Sequence, residues 1–77
     1  MTVNTERVRE LLAGCLETSV SEIPEDATRE NTVGWDSVVH LSLLGMLDDE
    51  TPGLLDRFPK LAESMSIAEI VTICKNR

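Results

Sequence analysis

Hydrophobic residues recur at helical spacing near both ends of the chain. The first segment has Asn4 or Thr5 as its N-cap, and the last is opened by Ser66, with Glu69 three positions later completing a capping box. The apolar positions are Val8, Leu11, Leu12, Cys15 and Leu16 in the first segment and Ile67, Ile70, Val71 and Cys74 in the last. Because this spacing places the apolar side chains on one face, it predicts an amphipathic helix at each end.

Between them, a second helix along the chain is predicted from about Asp36–Ser37 to Glu50, where Thr51-Pro52-Gly53 ends it. Its apolar residues cover well over half of the helix circumference, leaving a narrower polar side. The apolar positions are Val39, His40, Leu41, Leu43, Leu44, Met46 and Leu47, and the polar side carries Ser42, Gly45 and Asp49. We therefore expect this helix to be the central one.

The connections complete the predicted architecture. A long loop covers Thr18 to Trp35, with Val20, Ile23, Ala27 and Val33 expected to anchor it to the core. A short third helix is predicted from its cap Asp56 to about Glu63, with Leu61 and Met65 pointing inward. The fold class is all-α, a four-helix bundle formed by one domain over residues 1–77.

Composition narrows the possible functions. The chain has 77 residues with 14 acidic and 7 basic side chains, a formal charge of −7, and Trp35 and Phe58 as its only aromatics. Such a chain is repelled by phosphate backbones and lacks stacking platforms, so nucleic acid is not an expected partner. No apolar run approaches the roughly 20 residues of a membrane span, and the first residues lack the features of a secretion signal. We expect a cytoplasmic protein that does not insert into membranes.

The acidic residues are unevenly distributed. Between Glu30 and Asp56 there are six acids and no Lys or Arg. Asp48, Asp49 and Glu50 fall at the C-terminus of the second helix, where the helix dipole disfavours negative charge. A solvated face would account for such a run, but docking to basic partners is the alternative that this placement favours.

Catalysis by the chain itself is not indicated. His40 is the only histidine and lies on the apolar arc of the second helix, so a core histidine is expected rather than a general base. One histidine and the distant Cys15 and Cys74 do not form a zinc site, and Cys15 is expected to be a buried, inert thiol. We predict no enzyme activity and no metal.

The sequence Gly34-Trp35-Asp36-Ser37-Val38 places a hydroxyl at the start of the second helix. A helix N-terminus stabilises an anion, so a phosphate ester on Ser37 would be favourably placed. The alternative is that Asp36 and Ser37 only cap the helix.

These residues resemble the acyl carrier protein family. Asp36-Ser37-Val38 matches its Asp-Ser-Leu attachment motif, Ile23 to Thr28 resembles its loop before the motif, and Ser66-Ile67 resembles the start of its fourth helix. The resemblance covers essentially the whole chain and looks like a discrete carrier. It implies a covalent 4′-phosphopantetheine on Ser37, added from coenzyme A by a phosphopantetheinyl transferase, with Asp36 helping to present Ser37.

The resemblance also implies a partner face and a class of partners. The face would contain Trp35, Val39, Met46, Asp48, Asp49 and Glu50. Its partners would be the transferase and enzymes that load and process acyl groups through basic docking patches, with the carrier as a monomer. Departures from the family, including Arg29 in place of an aromatic residue, suggest a specialised lipid or secondary-metabolite pathway. An aminoacyl or peptidyl carrier and an unmodified helical interaction module are the alternatives.

Overall fold

The computed structural model describes residues 3–75 and is all-α, as predicted. Within these residues there are four α-helices and two short 3₁₀ turns. The helices are α1 (Thr5–Leu16), α2 (Ser37–Glu50), α3 (Leu54–Arg57) and α4 (Ile67–Lys75), and the turns are Val20–Glu22 and Pro59–Glu63. None of these helices has both the length and the apolar composition needed to cross a bilayer.

The three longer helices begin at the predicted caps. The side chain of Asn4 accepts from the Arg7 N–H at 2.8 Å, and Asp36 accepts from the Val39 N–H at 3.0 Å. Ser66 accepts from the N–H of Glu69 at 3.1 Å. Each bond satisfies a backbone donor that has no partner inside its helix, which fixes where the helix begins.

The core is formed mainly by α1, α2 and α4. Helix α1 packs against both α2 and α4, while α2 also contacts α3 and the Pro59–Glu63 turn. The buried side chains of these three helices are Val8, Leu12 and Ala13 from α1, His40, Leu43, Leu44 and Leu47 from α2, and Ile67, Ile70 and Val71 from α4. Helix α2 is thus flanked by several elements, as expected for the central helix, although Leu41 of its predicted apolar arc is 65% exposed.

The short third helix differs from its prediction. It begins at Leu54 after Gly53, whose φ of +88° is left-handed, so Asp56 lies inside the helix rather than at its cap. It ends before Pro59, which has no N–H to continue an α-helix, and the chain proceeds as the 3₁₀ turn. Leu61 is buried as expected, but Met65 is exposed.

The long loop is fixed at several points to the helices. The guanidinium of Arg9 donates to the carbonyls of Ile23 at 2.6 Å and Val20 at 3.1 Å. Ile23 and Ala27 are buried as predicted, whereas Val33 is 99% exposed and anchors nothing. The loop therefore reaches α2 along a defined path.

Candidate functional site

Ser37 is the first residue of α2, and its side chain is exposed. Asp36, directly before it, caps the helix through the Val39 N–H. The chain turns into this position at Gly34, whose φ of +92° is one that side-chain-bearing residues rarely adopt. A Cβ at Gly34 would also lie 3.2 Å from the Cδ2 atom of Leu16, a tight contact that a small shift of the leucine side chain would relieve, so the backbone angle is the main reason for glycine here. Backbone geometry thus directs the Ser37 hydroxyl outward.

One cation reaches the Ser37 hydroxyl. The Arg29 guanidinium donates from Nη2 to Ser37 Oγ at 3.3 Å, a long and therefore weak hydrogen bond. Arg29 is held by its backbone N–H, which donates to the Met65 carbonyl at 2.7 Å. The hydroxyl is thus accessible, and a positive charge lies beside it.

Trp35 lies behind the site, inside the core. The sequence predicted Trp35 as a partner contact, and this is wrong because only 3% of it is exposed. Its indole Nε1 donates to His40 Nδ1 at 3.1 Å, and the two rings are 5.9 Å apart. The indole thus packs under the start of α2 rather than on its surface.

His40 is a satisfied core histidine, as predicted. An indole N–H can only donate, so His40 Nδ1 is the acceptor and the neutral ring carries its proton on Nε2. Nε2 then donates to the Leu61 carbonyl at 2.9 Å. Burial lowers the pKa of His40 below its ordinary value, while the bond to Leu61 acts in the opposite direction. With both nitrogens engaged, His40 is not a base available to Ser37.

Two of the three acids at the other end of α2 have intramolecular contacts. Glu50 forms an ion pair with Arg7 of α1, including a bond from Arg7 Nε at 2.9 Å, which lowers the pKa of the Glu50 carboxyl. Asp48 accepts from the Leu55 N–H at 3.1 Å. Asp49 is exposed, so of the predicted acidic cluster it is the residue most open to a partner.

The apolar surface beside Ser37 differs from the predicted one. Val38 is 72% exposed and lies one helical turn from the exposed Leu41, whereas the predicted Val39 is half-buried. Met46 is partly exposed and lies against α1, its Sδ 3.7 Å from Cys15 Sγ. The signal that could have identified them was the position of Val38 on the polar side of α2, with Leu41 three residues later at the edge of the apolar arc.

Two further features lie apart from Ser37. The thiols of Cys15 and Cys74 are free and half-buried, and burial raises the pKa of each, as expected for inert cysteines. A cavity of about 310 Å³ lies between the end of α1 and the long loop, and its lining includes Leu16, Ile23 and Val33. Neither Ser37 nor His40 lines it.

Comparison of the chain with family models, with curated proteins and with solved structures finds no match. Function is therefore inferred from the residues of the site.

Proposed function

We propose that this protein is an acyl carrier of the acyl carrier protein type, modified with 4′-phosphopantetheine on Ser37. The observation that carries the proposal is the exposed Ser37 hydroxyl at the first position of α2, within the Asp36-Ser37-Val38 motif. The four-helix, all-α architecture with a long loop before α2 is compatible with that family.

The surroundings of Ser37 fit a phosphodiester. The first turn of an α-helix has backbone N–H groups without helical partners and the positive end of the dipole, both of which favour an anion. Arg29 adds a positive charge at 3.3 Å from the oxygen that would be esterified. Trp35 is turned inward, so the bulkiest nearby side chain does not occupy the space outside Ser37.

Modification would proceed by transfer from coenzyme A. Ser37 Oγ would form the new P–O bond while the pyrophosphate bond of coenzyme A breaks, the nucleotide half departs, and the hydroxyl proton is taken up by the transferase or solvent. When bound, the arm supplies a terminal thiol that holds an acyl group as a thioester. The contribution of this chain is to expose the serine on a capped, rigid helix end.

Partner enzymes would recognise the outward side of α2. Val38 and Leu41 provide an apolar patch close to Ser37, and the exposed Asp49 lies further along the same side. This combination suits a partner with a small apolar contact and a basic rim. We propose that the carrier acts as a monomer in the cytoplasm and serves a specialised lipid or secondary-metabolite pathway.

The test is intact mass after incubation with coenzyme A and a broad-specificity phosphopantetheinyl transferase. The wild type and Ser42→Ala should gain one phosphopantetheinyl mass, and Ser37→Ala should gain none. Ser42 is the matched control because it is an exposed serine on the same helix. Circular dichroism of Ser37→Ala confirms that the variant is folded.

An unmodified wild type would reject the proposal and favour the helical interaction module. Modification of Ser37→Ala would reject Ser37 as the site. If Ser37 is modified as expected, cargo released by mild thioester cleavage from protein of the native host distinguishes an acyl carrier from an aminoacyl or peptidyl carrier.

A further inference from the structure

Arg29 is fixed beside Ser37 by the fold rather than by a partner of opposite charge. Its segment of the long loop is bonded to the residues before α4: the Arg29 N–H donates to Met65, and the Ile67 N–H donates to the Ala27 carbonyl at 3.1 Å. The ion pairs described within residues 3–75 use Arg7 and Arg9, so the Arg29 guanidinium is in none of them. A half-buried arginine is thus held with its charge directed at a serine hydroxyl.

We propose that Arg29 binds the phosphate of the arm on Ser37 and holds the base of the arm against the protein. This inference rests on the proposed function and adds a residue to it. In the unmodified protein the guanidinium contacts a neutral hydroxyl at 3.3 Å. Esterification would bond phosphorus to Oγ and place anionic oxygens two bonds beyond Oγ, within reach of the same N–H groups, and would convert a weak contact into a charge-assisted one.

The charges around Ser37 give this contact a second consequence. The phosphodiester would be added directly after the Asp36 carboxylate, which stays in place because it caps α2. Arg29 directly precedes the stretch from Glu30 to Asp56, which contains no Lys or Arg, so that stretch supplies no alternative cation. Arg29 therefore offsets the repulsion between the phosphate and Asp36, and the modified protein depends on Arg29 more than the unmodified one does.

The experiment compares Arg29→Gln with the wild type, each in unmodified and modified form, by urea unfolding. Loss of Arg29 should lower the folded-to-unfolded ratio about fivefold more in the modified protein than in the unmodified protein, the size of a good exposed ion pair. Lys60→Gln is the control, because Lys60 is exposed and its loss changes the net charge equally. It should lower the ratio by the same factor in both forms.

A measurement on the wild type keeps the test independent of the variant's folding. The Arg29 Nε–H resonance should shift when Ser37 is modified, while that of Arg57, which lies over the Phe58 ring, should not. Equal losses in both forms, or an unmoved Arg29 resonance in the modified wild type, would overturn the Arg29 contact and leave the carrier function standing. A wild type that takes up no phosphopantetheine would overturn both.

Discussion

His40 joins three parts of the chain at a single ring. Its Nδ1 accepts from Trp35 in the loop before α2, and its Nε2 lies 2.9 Å from the Leu61 carbonyl and 3.2 Å from the Ser64 hydroxyl. A proton added at Nδ1 would face the indole N–H and break that bond, and it would place a charge where the side chain is 2% exposed. The neutral form is therefore the one that the folded protein selects.

This selection makes stability depend on pH. Since burial lowers the pKa of His40 in the folded state, the unfolded chain takes up the proton first as the pH falls below about 6.5. The contribution of neutral His40 to the free energy of unfolding is complete above that pH and decreases as the pH falls toward the folded-state pKa. The slope should reach at most about 1.4 kcal/mol per pH unit.

Urea unfolding followed by Trp35 fluorescence measures the effect, because Trp35 is the only tryptophan and His40 the only histidine. The dependence between about pH 5 and 7 should be absent in His40→Gln, whatever its overall stability. An equally steep slope in that variant would show that another group is responsible. NMR titration of the His40 ring provides the same information in the wild type.

Sequence patterns predicted correctly whether some residues of this region are buried, and they were wrong for others for a physical reason. The position of His40 on the apolar arc of α2 was enough to place it in the core. Trp35 precedes α2, where no periodicity specifies direction, and its burial depends on His40, which lies in the first turn of the helix. The predictions that Val33 and Met65 are buried were wrong for a similar reason, because the course of a loop over the fold decides whether its apolar residues are buried.

The C-terminal end of α2 illustrates the same limit for whole elements. Three consecutive acids at the negative end of a helix dipole are locally unfavourable, so the sequence favoured docking to a basic partner over a solvated face. In the fold, Asp48 accepts from the N–H of Leu55 in α3, and Glu50 forms an ion pair with Arg7 of α1. The existence of the helices and the caps of the three longer ones followed from local pattern, whereas contacts between elements distant in sequence did not. The prediction for α3 accepted Pro59 in the first turn of a helix capped by Asp56, whereas the helix begins after Gly53 and ends before Pro59.

The contact between Glu50 and Arg7 predicts different effects on thermal stability for two neighbouring substitutions. Glu50→Gln should lower the thermal midpoint, because it removes a bond between α1 and α2. Asp49→Asn should leave the midpoint unchanged or raise it by the equivalent of about 0.3–1 kcal/mol, because an exposed acid is lost near the negative end of the dipole.

Both variants lose one negative charge, so differential scanning calorimetry at pH 7 compares them directly. Because Arg7 lowers the pKa of Glu50, the Glu50 contribution is present above the ordinary glutamate pKa of 4.5 and is lost as the pH falls through the folded value. The two variants should therefore converge in acid. Equal midpoints at pH 7 would mean that the ion pair contributes nothing to stability.

At the scale of the whole molecule, the small size of the fold keeps the acidic residues of the central third of the chain close to the other charged residues. The described residues span 29 × 21 × 19 Å, and the chain carries a formal charge of −7. The ion pairs described in residues 3–75 involve Glu6, Glu10 and Glu50 with two arginines of α1. These pairs are partly exposed, so their attraction is small and screened by salt. The fold therefore brings together carboxylates that repel one another, as the net charge of the sequence already indicated.

Added salt should consequently stabilise this protein. At 0.01 M ionic strength the Debye length is about 30 Å, comparable with the molecule, and at 0.15 M it is about 8 Å. Raising NaCl across this range should raise the stability by about 1 kcal/mol, equivalent to about 4–8 °C for a domain of this size.

Calorimetry of Asp49→Lys tests the cause, because this exposed substitution changes the net charge from −7 to −5. Its midpoint should exceed that of the wild type at low salt and depend less on NaCl, since less repulsion is left to screen. Modification of Ser37 adds a further negative charge and should steepen the salt dependence unless Arg29 neutralises it. A midpoint that falls as salt is added would show that the ion pairs of α1 outweigh the repulsion among the carboxylates.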